Sequence, residues 1–210
     1  MKIEDIRLRG PRVTIRPLRK GDLDVMSTWS TFDDPLYRLF DWPRRAFLEN
    51  GLWFSDLMHD STRVYYAVED ERQVLIGRIS LRDIRGHDSA RLGIGFGTEF
   101  VGQGYGTESL RIFLRYFFLD LGFRRMVLDV SAINQRAIRC YERCGFERVG
   151  THYQYLGRDS DIAFLKQRRY RHLGRFVQRR GRRHYVLAYD MVLERELWLV
   201  QACALEPLAP

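Results

Sequence analysis

Apolar residues at Leu110, Phe113, Leu114, Phe117, Phe118 and Leu121 recur in steps of three and one. That spacing predicts a helix with one buried face. Before it stands Gly102-Gln103-Gly104-Tyr105-Gly106-Thr107, and before that an apolar run ending at Phe96. The order reads as strand, glycine turn, helix. Alternating glycines let several backbone N–H groups converge. The first helical turn adds unpaired N–H groups and the positive end of its dipole. Together they predict a socket for an anion such as a phosphate. A plain strand-to-helix turn is the other reading of the same residues.

The same patterns divide the rest of the chain. Arg12–Arg16 alternates as a strand closed by Pro17, and a helix from Gly21-Asp22 to about Trp29 follows, with Asp22 as its N-cap. Residues 36–60 read as an aromatic-rich helical region, with Pro43 in the first turn of its second helix. Val64–Val68 and Val74–Ile84 form a hairpin, and Ala90–Phe96 is the strand leading into the glycine turn. The helix after the turn stops at Gly122. Met126–Val130 follows this crossover helix and is expected to lie parallel to the preceding strand. A helix from Asn134 to about Arg143 ends at Gly145, and Phe146–Tyr155 and Tyr185–Leu193 are strands. These elements predict one α+β domain over residues 1–200. It is an α/β/α sandwich with a mixed, mostly antiparallel sheet and helices on both faces. A basic insertion spans about 156–183 and a tail 201–210, frayed from Leu205.

Composition narrows the function. The 210 residues are 45% hydrophobic and 30% charged, with a formal net charge of +8. Such a surplus favours anionic partners: a phosphorylated cofactor, nucleic acid or an acidic protein. The charged start, Met1 to Asp5, lacks the apolar core of a secretory signal, and no apolar run reaches membrane-spanning length, so a cytoplasmic protein is expected. Cys140, Cys144 and Cys203 read as three reduced thiols. The five histidines show no ligand spacing, so no metal site is expected. Among the insertion's arginines lie Phe164, Tyr170 and Phe176. The segment reads as a solvated helix or hairpin, a dimer contact, or a surface for nucleic acid.

Two motifs then combine. One is Gln103-Gly104-Tyr105-Gly106-Thr107; the other is Asn134-x-x-Ala137-x-x-x-Tyr141-x-x-x-Gly145-Phe146. Together they resemble the GNAT superfamily of acetyl-coenzyme A dependent N-acetyltransferases. The segments Arg7–Leu18 and Tyr189–Trp198 resemble the branch that holds ribosomal-protein N-terminal acetyltransferases.

The resemblance implies direct acetyl transfer from acetyl-coenzyme A to a primary amine, such as a protein N-terminus or a small molecule. It implies that the loop amides of Gly102, Gln103, Gly104, Tyr105, Gly106 and Thr107 hold the pyrophosphate. Ile94 and Phe96 would pair with the pantetheine arm, and Asn134 would touch the cofactor. Tyr141 would be the general acid, and Asp129 or Glu99 the base. A backbone N–H near Phe96 or Gly97 would stabilise the carbonyl oxygen. Val101 stands where the family usually carries Arg or Gln. Asp33, Asp34, Asp41, Tyr37 and Trp42 are expected on the acceptor side. A GNAT-like binding module that contacts RNA or an acidic partner through its arginines is the alternative function.

Overall fold

The computed structural model describes residues 6–42, 47–157 and 162–205. Among them, nine strands form one sheet in the order β1-β2-β3-β4-β5-β6-β9-β7, with β8 paired to β9. The strands are β1 Leu8–Arg9, β2 Val13–Pro17, β3 Val64–Asp70, β4 Leu75–Arg85, β5 Ser89–Phe96, β6 Arg125–Ser131, β7 Glu147–Tyr155, β8 Val177–Arg180 and β9 Arg183–Glu194. The helices are α1 Lys20–Ser27, α2 Phe47–His59, α3 Tyr105–Arg115, α4 Gln135–Arg143 and α5 Arg195–Leu205. Every strand pair is antiparallel except β5 with β6. The parallel expectation for that pair holds because α3 carries the chain across between them.

The apolar stripe predicted for α3 is buried: Leu110, Phe113, Leu114, Phe117 and Phe118 pack with Ile79, Leu81, Met126 and Leu193. Residues Tyr116–Asp120 continue α3 as a wider π-helical turn. A second cluster, Leu18, Leu23, Met26, Trp29, Ala67 and Leu75, gathers Trp42, Trp53 and Phe54.

Several expectations change. Helix α1 begins one residue before Gly21, with Arg19 at its N-cap. Asp22 instead occupies the first turn and accepts from the Arg19 N–H at 2.7 Å. Pro43 lies outside the described residues. The helix α5 takes in the first five residues of the expected tail, and residues 206–210 lie outside the description. The basic insertion is neither a free helix nor a simple hairpin. It makes two short 3₁₀ turns, Ala163–Lys166 and Arg171–Phe176, before β8. A third apolar cluster, Leu36, Ile133, Phe164, Tyr170, Leu173 and Val186, binds it to the body of the protein.

Asp22 has a second partner. The Arg16 guanidinium, 5% exposed, donates to Asp22 through both terminal nitrogens at 2.7 and 2.8 Å and to Glu69 through Nε at 2.6 Å. One buried cation therefore joins β2, α1 and β3. Arg16→Met leaves two buried carboxylates uncompensated. It is expected to cost about 3–5 kcal/mol in urea-unfolding stability; a loss below about 1 kcal/mol would show that the carboxylates are satisfied without it.

Candidate active site

β5 and β6 pair only at Ser89/Arg125, Ala90/Met126 and Arg91/Val127. Beyond that point they part. β5 stays on β4 as far as Phe96/Gly77, and β6 stays on β9 as far as Ser131/Ala188. The sheet is thus split in its middle between Leu92–Phe96 and Leu128–Ser131. The Gly97 N–H donates to the Ile76 carbonyl at 3.0 Å. Since backbone groups alternate between strand edges, the N–H and C=O groups of Leu92, Ile94 and Phe96 face the split. These are inner strand edges with no strand to pair with. Their geometry is that of an edge open to one more extended chain. Of the two N–H groups expected near the carbonyl oxygen, that of Gly97 is already paired with Ile76 and that of Phe96 faces the split.

The glycine turn lies at the mouth of the split. Gly102 and Gly104 have φ of +85° and +90°, a left-handed conformation that side chains disfavour. No backbone carbonyl accepts from the N–H groups of residues 102–107 among the described residues. A Cβ on Gly95 or Gly102 would meet nothing within 4 Å. Unpaired amides, a helix N-terminus and open space suit a phosphate. The Gln103 side chain is anchored, its amide donating to the Glu99 carbonyl at 2.6 Å.

Helix α4 runs beside α3. Asn134 caps it, its side chain accepting from the Ala137 N–H at 3.2 Å. Tyr141 is 8% exposed and packs on Phe146 at 5.9 Å. Its hydroxyl has no hydrogen-bond partner among the described residues. Burial, with smaller contributions from Cys140 and Asp129, pushes this phenol up, so it stays protonated. A neutral phenol with a free O–H can give a proton to a leaving group.

The two candidate acids are both engaged. Asp129 pairs with Arg91 at 2.7 Å and accepts from the Gln154 amide. Arg91 also holds Asp83 at 3.0 Å, so this chain of charges sits where the strands begin to part. Glu99 accepts from the Ser30 N–H at 3.2 Å and from the Thr98 hydroxyl at 3.2 Å. The Ser30 side chain is the largest cause holding Glu99 below the usual carboxylate range, and the Ser30 N–H and the Thr98 hydroxyl add to it.

On the acceptor side, Asp34 accepts from Leu36 N–H and from the Tyr170 hydroxyl, while Asp41 accepts from Phe32 N–H at 3.0 Å. Both acids therefore order their own loop, and Asp33 is the exposed one. The Arg136 guanidinium lies over Tyr37 at 4.2 Å and Phe32 at 5.0 Å. Trp42 stacks edge-on against Trp29 and Trp53 and carries Arg78 on its face at 4.7 Å. Sequence reasoning missed Arg136 and Leu173, and gave Tyr170 only as one of the aromatics among the insertion's arginines.

Cys140 lies at the glycine turn, its sulfur 3.4 Å from the Thr107 hydroxyl. The hydrogen bond with Cys144 is the largest cause lowering its pKa; Thr107, Arg143 and Arg111 add to it, and burial opposes. Alkylation by iodoacetamide should therefore rise with pH and reach half-maximum below the value of about 8.5 of an ordinary thiol. A phosphate on the loop should slow it. A half-maximum above 8.5 would count against the lowered pKa.

A family model described as an acetyltransferase (GNAT) domain matches residues 12–147. Spermidine N(1)-acetyltransferase of Vibrio cholerae is 29% identical over 140 residues, 66% of this chain and 81% of that protein. Aminoglycoside N(6')-acetyltransferase type 1 of Klebsiella pneumoniae is 45% identical over 51 residues, 24% of this chain and 25% of that one. A crystal structure of the Vibrio cholerae spermidine N-acetyltransferase with CoA and spermine superposes with a TM-score of 0.67. It has 24% identity and covers 90% of this chain and 99% of that one. These relatives correct the ribosomal-protein branch expected from the two chain ends. Those ends form β1 and β2 and the β9–α5 junction.

Proposed function

The chain belongs to the GNAT acetyltransferase family and moves acetyl from acetyl-coenzyme A to an amine, and we propose that the acceptor is a small cationic amine of the polyamine kind, with Tyr141 as general acid. When bound, acetyl-coenzyme A supplies an activated acetyl thioester. The amides of residues 102–107 would hold its diphosphate, and the inner edge of β5 at Ile94 and Phe96 its extended arm. Asn134 would contact it from the α4 cap. One observation carries the assignment of Tyr141: a buried phenol whose hydroxyl has no partner among the described residues, on the helix that packs beside the glycine turn.

Tyr141 Oη–H hydrogen-bonds to the departing sulfur and stabilises the charge that develops there; an ordinary thiol pKa of about 8.5 makes the thiolate a tolerable leaving group, so this bond assists its departure before the sulfur takes up a proton. The incoming amine must lose a proton. Asp129 is the carboxylate that bears electrostatically on Tyr141, and we assign it the base role through water. Glu99 is assigned to tying Ser30 to the loop. The cationic acceptor is supported by the relatives and by the aromatic faces of Phe32 and Tyr37, which already hold a guanidinium. The binding-module alternative is not favoured, since the insertion is packed into the body of the protein.

Tyr141→Phe is expected to lower kcat by roughly a hundredfold or more while KM for acetyl-coenzyme A stays near that of the wild type. Unchanged kcat would remove Tyr141 from the chemistry. Asp129→Asn should lower kcat more than Glu99→Gln, and the reverse order would exchange their roles. In a thiol-release panel of spermidine, kanamycin and a peptide with a free N-terminus, spermidine is expected to show the highest kcat/KM. Preference for the peptide would overturn the acceptor class.

A further inference from the structure

Val101 leaves the glycine turn without the cationic or amide side chain that the matched motif usually carries. A residue ninety positions upstream reaches the same loop. The Arg12 guanidinium donates from Nη1 to the Gln103 carbonyl at 3.1 Å. Its Nε and Nη2 fork onto Glu108 Oε2 at 2.8 Å each, and its backbone N–H reaches Glu108 Oε1 at 2.7 Å. Its Cζ lies over the Tyr105 ring at 4.9 Å. Nη2 stands 3.1 Å from where a Cβ on Gly104 would sit.

We propose that Arg12 is a positioning residue for the phosphate loop, aiming the Gly104 N–H into the anion socket and neutralising Glu108 beside it. The proposal rests on the reading that residues 102–107 hold the cofactor's phosphates. All described peptide bonds are trans, so the Gln103 C=O and the Gly104 N–H point in opposite directions. Arg12 fixes the carbonyl on one side, which fixes the N–H on the other. Glu108 occupies the first turn of α3, where an uncompensated carboxylate would repel a bound phosphate. Arg12 is aligned for both tasks because Glu108 grips it through its backbone and its side chain at once.

The test compares two acetyl donors, acetyl-coenzyme A and acetyl-pantetheine, which lacks the phosphates. Arg12→Ala is expected to raise KM for acetyl-coenzyme A about tenfold, the scale of one charge-assisted hydrogen bond. Its kcat should stay within about twofold, and kcat/KM for acetyl-pantetheine should not change. Arg12→Lys restores the charge without the fork and should recover part of the loss; it also serves if the alanine variant does not fold. Equal loss with both donors, or an unchanged KM for acetyl-coenzyme A, would overturn the proposal. If the wild type itself does not distinguish the donors, it is the phosphate-loop reading that fails.

Discussion

A sheet split open at its centre governs this molecule. Backbone N–H and C=O groups removed from water need partners, and an unpaired strand edge is normally confined to a sheet's rim. Here two edges face each other in the interior of the strand order, after the pairs at Arg91 and Val127. The outer edges of both strands stay paired, β5 to β4 and β6 to β9, so the split cannot close by sliding either strand without breaking a longer ladder. Arg91 sets where it starts, binding Asp83 and Asp129 in the same fork region. An extended ligand that completes both ladder and charge is the natural occupant, and this is why fold and cofactor belong together.

The chemistry follows from which elements flank that split. α3 begins at its mouth, so the unpaired amides of the glycine turn and the helix dipole point at one place. α4 packs beside α3, which brings Cys140 to Thr107 and buries Tyr141 on the next residue. Burial raises the phenol's pKa and keeps it neutral, and its hydroxyl has no hydrogen-bond partner among the described residues, so its O–H is free to bond to a ligand atom. Desolvation keeps the phenol neutral at no cost, whereas a carboxylate such as Asp129 needs a cationic partner such as Arg91 to stay ionised there.

Local signals made much of this legible. The stripe on α3, the alternating glycines and the spacing of Asn134 from Tyr141 are encoded within single elements, and each stands where its pattern placed it. What stayed hidden depends on long-range packing. Asp22 reads as a cap because it precedes an apolar run. Its carboxylate is instead drawn into the first turn by Arg16, a partner on another strand. Arg12 reads as the start of a strand, and nothing near it in sequence announces Gln103 or Glu108. The insertion reads as a charge run because arginines outnumber its apolar residues. Yet Phe164, Tyr170 and Leu173 are enough to bury it against Leu36 and Ile133. The chain ends misdirected the choice of branch for the same reason: they record strand geometry that many acceptors can share.

The distribution of charge separates the two substrates. The formal net charge of +8 favours encounter with an anionic cofactor from any direction, and fields of this kind act over distance. A cationic acceptor must then be received against that field, which demands short-range contacts. In the proposed reading the loop from Phe32 to Trp42 provides them through its aromatic faces and the exposed Asp33, while Asp34 and Asp41 order the backbone. Arginines elsewhere are partly occupied: Arg148 lies over Tyr189 and Arg180 over Tyr185. At physiological salt, screening over about 8 Å weakens repulsion from such exposed charges more than it weakens contacts inside the cleft. A basic protein can therefore accept a basic substrate, provided that the insertion holds the acceptor loop in place, as Tyr170 does through Asp34.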